Sequence, residues 1–359
     1  MKEENNIYYE NKKNRITFSQ IIVLIIVILI FIILILETKN LVLYTIGEKS
    51  REEAVLYNFI YKIANKSKAQ NDLKSKEEYS LNLGILGNIN CSNGILNKSL
   101  NSGDFKEIVK NYDLAITNIS NDISKINQND IQETLNNNNI KSIDYENGYY
   151  ILEKNNIKIG IFLQDLESTQ GTDNVESQEI INILKQNDVD LIICFLCNKK
   201  DENYKFVTEI QTNTVDELFE NGTDIVIGIN SHNFQSFTED NIELSNDTKH
   251  VYCIYSMGNL IDSSNNNIDN FSLFSGIKIS KVIYKQENLP NDTKVVTYQV
   301  DIPKLLYSNI SKNYMGIYLV ENITDNNNIS NKILEEIEEN SQRYKAIYNN
   351  YWLLNKKMI

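Results

Sequence analysis

Residues 16–36, ITFSQIIVLIIVILIFIILIL, are apolar almost throughout. At 1.5 Å rise per residue, a helix of about 20 residues crosses a hydrocarbon core of roughly 30 Å, so the run has the length of one membrane span. It is longer than the apolar region of a cleaved signal peptide and no small-residue cleavage site follows it, which favours a signal anchor. A buried helix of a soluble core would carry a polar face, and this segment has none. Lys12, Lys13 and Arg15 precede the run, against Lys39, Lys49 and Arg51 after it. The positive-inside bias then places a tail of residues 1–15 in the cytoplasm and everything after the span on the extracellular side of a single-pass membrane protein.

Beyond the anchor the chain of 359 residues is long enough to bury a sizeable core. Its net charge of −13 is spread along the sequence, which reads as solubility and excludes nucleic acid as a partner. Four cysteines occur, and Cys194 and Cys197 form a C-x-x-C inside VDLIICFLC. That run reads as a buried strand, on which an odd spacing sends the two side chains to opposite faces, so they read as small buried hydrophobes and not as a redox or metal pair.

The organisation follows from the periodicity. Residues 37–80 read as a stalk: EEAVLYNFIYKIANK is a plausible helix, and KSKAQNDLKSKEEYS is charged and loop-like. From residue 81 short apolar runs alternate with amphipathic helical stretches, the pattern of an α/β domain. Strands are predicted at 81–87, 112–118, 157–163, 189–196, 223–229 and 250–256. Helices are predicted in SQEIINILKQN and in YKFVTEIQTNTVDELFEN, the latter closing at Asn221-Gly222. After residue 270, FSLFSGIKISKVIYK and KVVTYQVDIP read as a hairpin turning at residues 289–292. The domain runs from 81 to 325, and residues 326–359 hold a last helix, at about 331–349, and a tail. The Asn-rich stretch 121–147 reads as loops with one short helix.

The chemistry concentrates in NGTDIVIGINSHNFQS and VYCIYSMGNLIDSS. A buried strand ending near Gly228 and a second ending in Tyr-Ser-x-Gly-Asn bring two loops to one sheet edge, where open α/β sheets collect ligands. In these residues the chain resembles the CapA family of poly-γ-glutamate capsule biosynthesis proteins, whose domain is similar to the calcineurin-like metallophosphatases. GTDIVIGINSHNFQ and YSMGNL match that family's GADVVIG-x-HPHVVQ and YSLGNF. Upstream, LNLGILGNIN, YDLAITNIS, IKIGIFLQD and VDLIICFLCNKKDENY fall in order at the family's earlier strands. The resemblance implies an α/β (α+β) metallophosphatase-like sandwich of mixed sheets flanked by helices. The loops after Gly87, Asn118, Cys197, Gly228 and Ser256 should then converge on one end of the sheets.

The departures fall on the ligand positions. Where the family carries a Gly-Asp aspartate this chain has Asn88, and where it has the glutamate of Asn-Leu-Glu it has Ser120, two residues beyond Asn118. Cys197 stands for one histidine and Asn230 for another, while His232 alone keeps the expected residue. The family's Asn-His motif and the strand before it are read as missing, since only the Asn-rich stretch lies between Ser120 and Ile157. Carboxylate and imidazole ligands hold the metals of such sites, and neutral Asn or Ser cannot supply that charge. The expectation is a pseudoenzyme with no catalytic residue, metal or cofactor, serving polymer-synthesis machinery or an acidic surface polymer. Tyr255, Ser256, Gly258 and Asn259 read as a turn shaping the pocket. Two rivals stand beside it: a metal-dependent phosphoesterase using Asp113, Asp122, Asp224 or Asp262 as substitute ligands, and a surface interaction protein that only inherits the fold.

Overall fold

The computed structural model describes residues 73–119, 125–143, 148–166, 174–198, 205–244, 247–263, 271–286, 293–311, 315–323 and 330–355. The candidate span at 16–36, the stalk up to residue 72, the turn at 289–292, Ser120 and Asp122 lie outside them. Among the described residues no helix is long and apolar enough to cross a membrane. Two compact units are distinguished, a small one of residues 1–76 and 284–293, almost wholly outside the description, and a large one of 77–283 and 294–359.

The large unit is a sandwich of two sheets. The first follows the spatial order β15 (Gly316–Leu319), β14 (Lys304–Asn309), β12 (Phe271–Gln286), β1 (Leu73–Ile85), β3 (Leu114–Thr117) and β4 (Ile140–Ser142), with β13 (Thr293–Val300) also paired to β12. The second runs β5 (Tyr149–Lys154), β6 (Ile157–Asp165), β7 (Leu191–Cys197), β8 (Ile225–Ile229), β10 (Asp247–Ile254) and β9 (Phe237–Leu244). A short parallel pair joins β2 (Asn88–Asn90) to β11 (Asn259–Asp262). Strands β6, β7, β8 and β10 are parallel neighbours, as are β1, β3 and β4.

Alternation along the strands sorts the core into layers. Ile193 and Phe195 of β7 and Ile225 and Ile227 of β8 face Leu81, Leu83 and Ile85 of β1 across the sandwich centre. Their neighbours Ile192, Cys194, Leu196 and Val226 face outward, onto α4 (Asn174–Gln186) and α5 (Glu209–Asn221) through Ile181, Leu184, Val215 and Leu218. On the far side of the first sheet Ala115, Ile140 and Leu306 meet α1 (Asn93–Leu100), α2 (Phe105–Val109) and α3 (Lys125–Asn136). Cys194 and Cys197 therefore do fall on opposite sides of β7. Thr208 and Gln211 form a capping box at the start of α5, and Gly222 closes it as the sequence predicts.

Several expectations need correction. Residues 73–80 of the supposed loop-like stalk are strand, because the long partner β12 supplies backbone pairing whatever the polarity of the side chains. A parallel strand, β4, stands beside β3 within the Asn-rich stretch, which the sequence reads as loops with one short helix. Only three residues long, it offers no alternation to read. The last helix, α6 (Asn331–Asn355), runs farther than predicted.

Candidate functional site

Strands β1, β3, β7, β8 and β10 deliver their following loops to one place, as the chain of contacts between those loops shows. Asn88 opens β2, where its N–H donates to Gly258 O at 3.1 Å and its Cα pairs in register with Asn259. Asn118 follows β3 and is buried; its Nδ2 donates to Asn88 Oδ1 at 3.3 Å and to Asn230 Oδ1 at 3.2 Å. Asn230 follows β8 with φ +63°, a left-handed conformation that asparagine tolerates better than most residues. Its own Nδ2 donates to Cys197 Sγ at 2.8 Å, at the end of β7.

The same chain of amides runs the other way to the histidine. Asn88 Nδ2 reaches Asn259 Oδ1 at 3.5 Å, and Asn259 Nδ2 lies 3.1 Å from Asp262 Oδ2 and 3.0 Å from His232 Nδ1. An amide nitrogen is a donor, so in this contact His232 Nδ1 is the acceptor. Asp262 is buried, 3.7 Å from His232 Nδ1, and also receives Asn90 Nδ2 at 3.3 Å.

Two glycines let these loops close. A Cβ on Gly228 would stand 1.8 Å from Tyr255 O, so β8 can approach the end of β10 only without a side chain. Gly258 has φ +70° and sits against Phe271 O and Phe234 N, and its N–H donates to Ser256 Oγ at 3.2 Å. Ser256 and Gly258 thus shape the turn and present no group to a ligand.

Sequence reasoning missed a second layer of amides. Asn198 follows Cys197 and accepts Gln211 Nε2 at 2.9 Å, and the same Nε2 lies 2.8 Å from Gln235 Oε1. Gln235 in turn donates to Phe206 O at 2.9 Å, so the start of α5 is fastened to the His232 loop. From the last helix, Arg343 stacks 3.9 Å over the ring of Phe234 and donates to Asn233 Oδ1 at 3.3 Å. No local sequence pattern could expose these bonds, because each joins residues distant in sequence.

The fit to a divalent metal is poor. Carboxamides hold two of the ligand positions, Asn88 and Asn230, and both are already bonded to Asn118. Burial beside the Asp165 carboxylate pushes the Cys197 thiol up to about 12, so it is not a thiolate at neutral pH. Among the described residues no group of three His, Cys, Asp or Glu side chains is placed to hold a metal. Of the substitute carboxylates among the described residues, only Asp262 reaches the site. Asp113 accepts Asn82 N–H at 2.8 Å ahead of β3, and Asp224 accepts Ile192 N–H at 2.7 Å ahead of β8, both at the opposite strand ends.

Residues 104–264, which include Asn118, Cys197, Asn230, His232, Asn259 and Asp262, match one family model. It is that of the bacterial capsule synthesis protein PGA_cap. The CapA-type resemblance seen in the two loop motifs is thus recovered over the whole stretch from α2 to β11, and Asn88 lies ahead of the PGA_cap match. No curated protein matches the chain. Among solved structures, a hypothetical protein from Thermus thermophilus aligns at 10% identity and TM-score 0.35, over 61% of this chain and 100% of that one. Vps29 from Chaetomium thermophilum aligns at 9% identity and TM-score 0.25, over 61% of this chain and 97% of its own. Vps29 from Entamoeba histolytica, complexed with zinc, aligns at 10% identity and TM-score 0.23, over 60% of this chain and 99% of its own. Scores this low add nothing to the architecture read from the strand order.

Proposed function

We propose that this chain is a membrane-anchored, extracellular CapA-type component of cell-surface polymer assembly that works without a metal-activated water. The observation that carries the reading is the bonding of Asn118 to both Asn88 and Asn230. Two positions where the family has metal ligands are neutral amides, and their oxygens are already engaged by a third amide. A hydroxide generated at neutral pH needs a cation held by several charged or imidazole ligands, and this arrangement offers one imidazole. The anchor at 16–36 and its basic flank support the location.

A strain lacking the chain should lose surface polymer, and a copy carrying His232→Ala should restore it. Polymer that persists without the chain would contradict a role in assembly. A second reading, a metal-dependent phosphoesterase, draws on Asp262, whose carboxylate stands 3.7 Å from His232 and is the described substitute ligand in place. Restoration by wild type but not by His232→Ala would favour it.

A further inference from the structure

We propose that Arg343, on the last helix, is a positioning residue of this site: it fixes the shape of the loop that carries His232, which makes α6 a wall of the functional end. The proposal rests on the assembly reading and names the element that shapes its site. The PGA_cap match ends at residue 264, so α6, which begins at Asn331, lies wholly outside it.

Residues 230–236 join β8 to β9. Their later half is pinned on one side by the loop after β10, where Phe234 bridges to Met257 and the Gln235 N–H donates to Ser256 O at 3.0 Å. From α6 comes the second hold. The Arg343 guanidinium lies 3.9 Å from the centre of the Phe234 ring and donates through Nη1 to Asn233 Oδ1 at 3.3 Å. Asn233 is buried and follows His232 directly, so a charged donor taken from its amide oxygen is taken from the residue that sets where His232 stands. A planar guanidinium stacks on a ring and donates in its own plane at once, which an ammonium does not match. One turn earlier Glu339 pairs with Lys205 at 3.2 Å, beside Phe206, whose carbonyl accepts Gln235 Nε2. Two turns later Tyr351 donates to the Glu239 carboxylate and sets its ring 4.9 Å from that of Phe237, at the start of β9. Residues 339, 343 and 351 differ by multiples of four, a spacing that keeps side chains on one side of a helix, and that side grips the His232 loop along its later half.

The test is nuclear magnetic resonance of the full chain in detergent with its histidine rings labelled. The chain has two histidines, so the His232 signal is the one lost in His232→Ala, and His250 serves as an internal reference. Arg343→Met should shift the His232 signal and leave that of His250 in place, and Arg343→Lys, which keeps the charge, should shift it less. In the strain lacking the chain, Arg343→Met at wild-type protein level should restore less polymer than wild type or His232→Ala, because α6 secures the shape of the loop and not the chemistry of the imidazole. Arg343→Lys should recover part of that loss. An unmoved His232 signal, a shift of both histidines together, or full restoration by Arg343→Met would each overturn the proposal. Polymer that persists without the chain overturns the assembly reading instead, so the two failures are distinct.

Discussion

His232 Nδ1 lies 3.0 Å from Asn259 Nδ2, although 27 residues separate them in sequence. The contact joins the loop after β8 to the strand that follows β10, and it places both family motifs in one site. The same Nδ1 stands 3.7 Å from the buried Asp262 carboxylate, so the ring is held at one nitrogen by both residues of the second motif.

Asn118 is the keystone of the amide chain, and Asn118→Ala removes two donors at once. Asn88 Oδ1, buried, and Asn230 Oδ1, half-buried, are then left without this partner, which costs about 1–3 kcal/mol. A urea midpoint unchanged from wild type would show that the chain of amides contributes nothing to stability.

Gly258→Ala meets two obstacles, a left-handed backbone and a carbonyl, Phe271 O, 2.5 Å from where the Cβ would stand. A loss of roughly 1–3 kcal/mol is expected. The His232 loop shares this contact through Phe234 N, so its amide signals in a nuclear magnetic resonance spectrum should shift as well.

Away from the site, Asp190 is fully buried between Lys281 at 2.9 Å and Lys294 at 3.1 Å, tying β7 to β12 and β13. Asp190→Ala strands Lys281 in a buried position, and a loss of about 3–5 kcal/mol is expected. Thermal unfolding measures it, and a shift no larger than that of a surface substitution would refute the role.

Alkaline pH should destabilise the fold. Burial raises the Cys91 and Cys197 thiols from 9.0 to about 12, so between those values the unfolded chain has released protons that the folded chain keeps. With fewer protons bound in the unfolded state, stability falls as pH rises through this window. The urea midpoint should drop from about pH 9 upward, less steeply in Cys91→Ala; a flat profile would contradict the burial of these thiols.

The proposed orientation rests on the basic flank of residues 1–15. Protease added to intact cells should remove the domain and spare an N-terminal tag. Protection of the domain with loss of the tag would invert the topology.

Strands with apolar runs were legible from sequence because both faces of β6, β7 and β8 are covered, by the opposite sheet and by helices. Strand β9, FTEDNIEL, was not, since it lies at a sheet edge and takes its pairing from β10 with few apolar residues to mark it. The short strands β2, β4, β11 and β15 carry too few residues for any period to show. At the site, the loops bearing His232 and Asn259 were legible because two strand-end motifs stand in order. The layer of Gln211, Gln235 and Asn198 was not, since buried amides look like loop residues until their partners across the fold are known.

Metal content is the most direct measure of what the amides have displaced. The full chain, purified without chelators and analysed for manganese, iron and zinc, should carry far less than one metal per molecule, and His232→Ala should not change the value. One tightly held metal per chain, lost in His232→Ala, would contradict a site built to work without a metal-activated water.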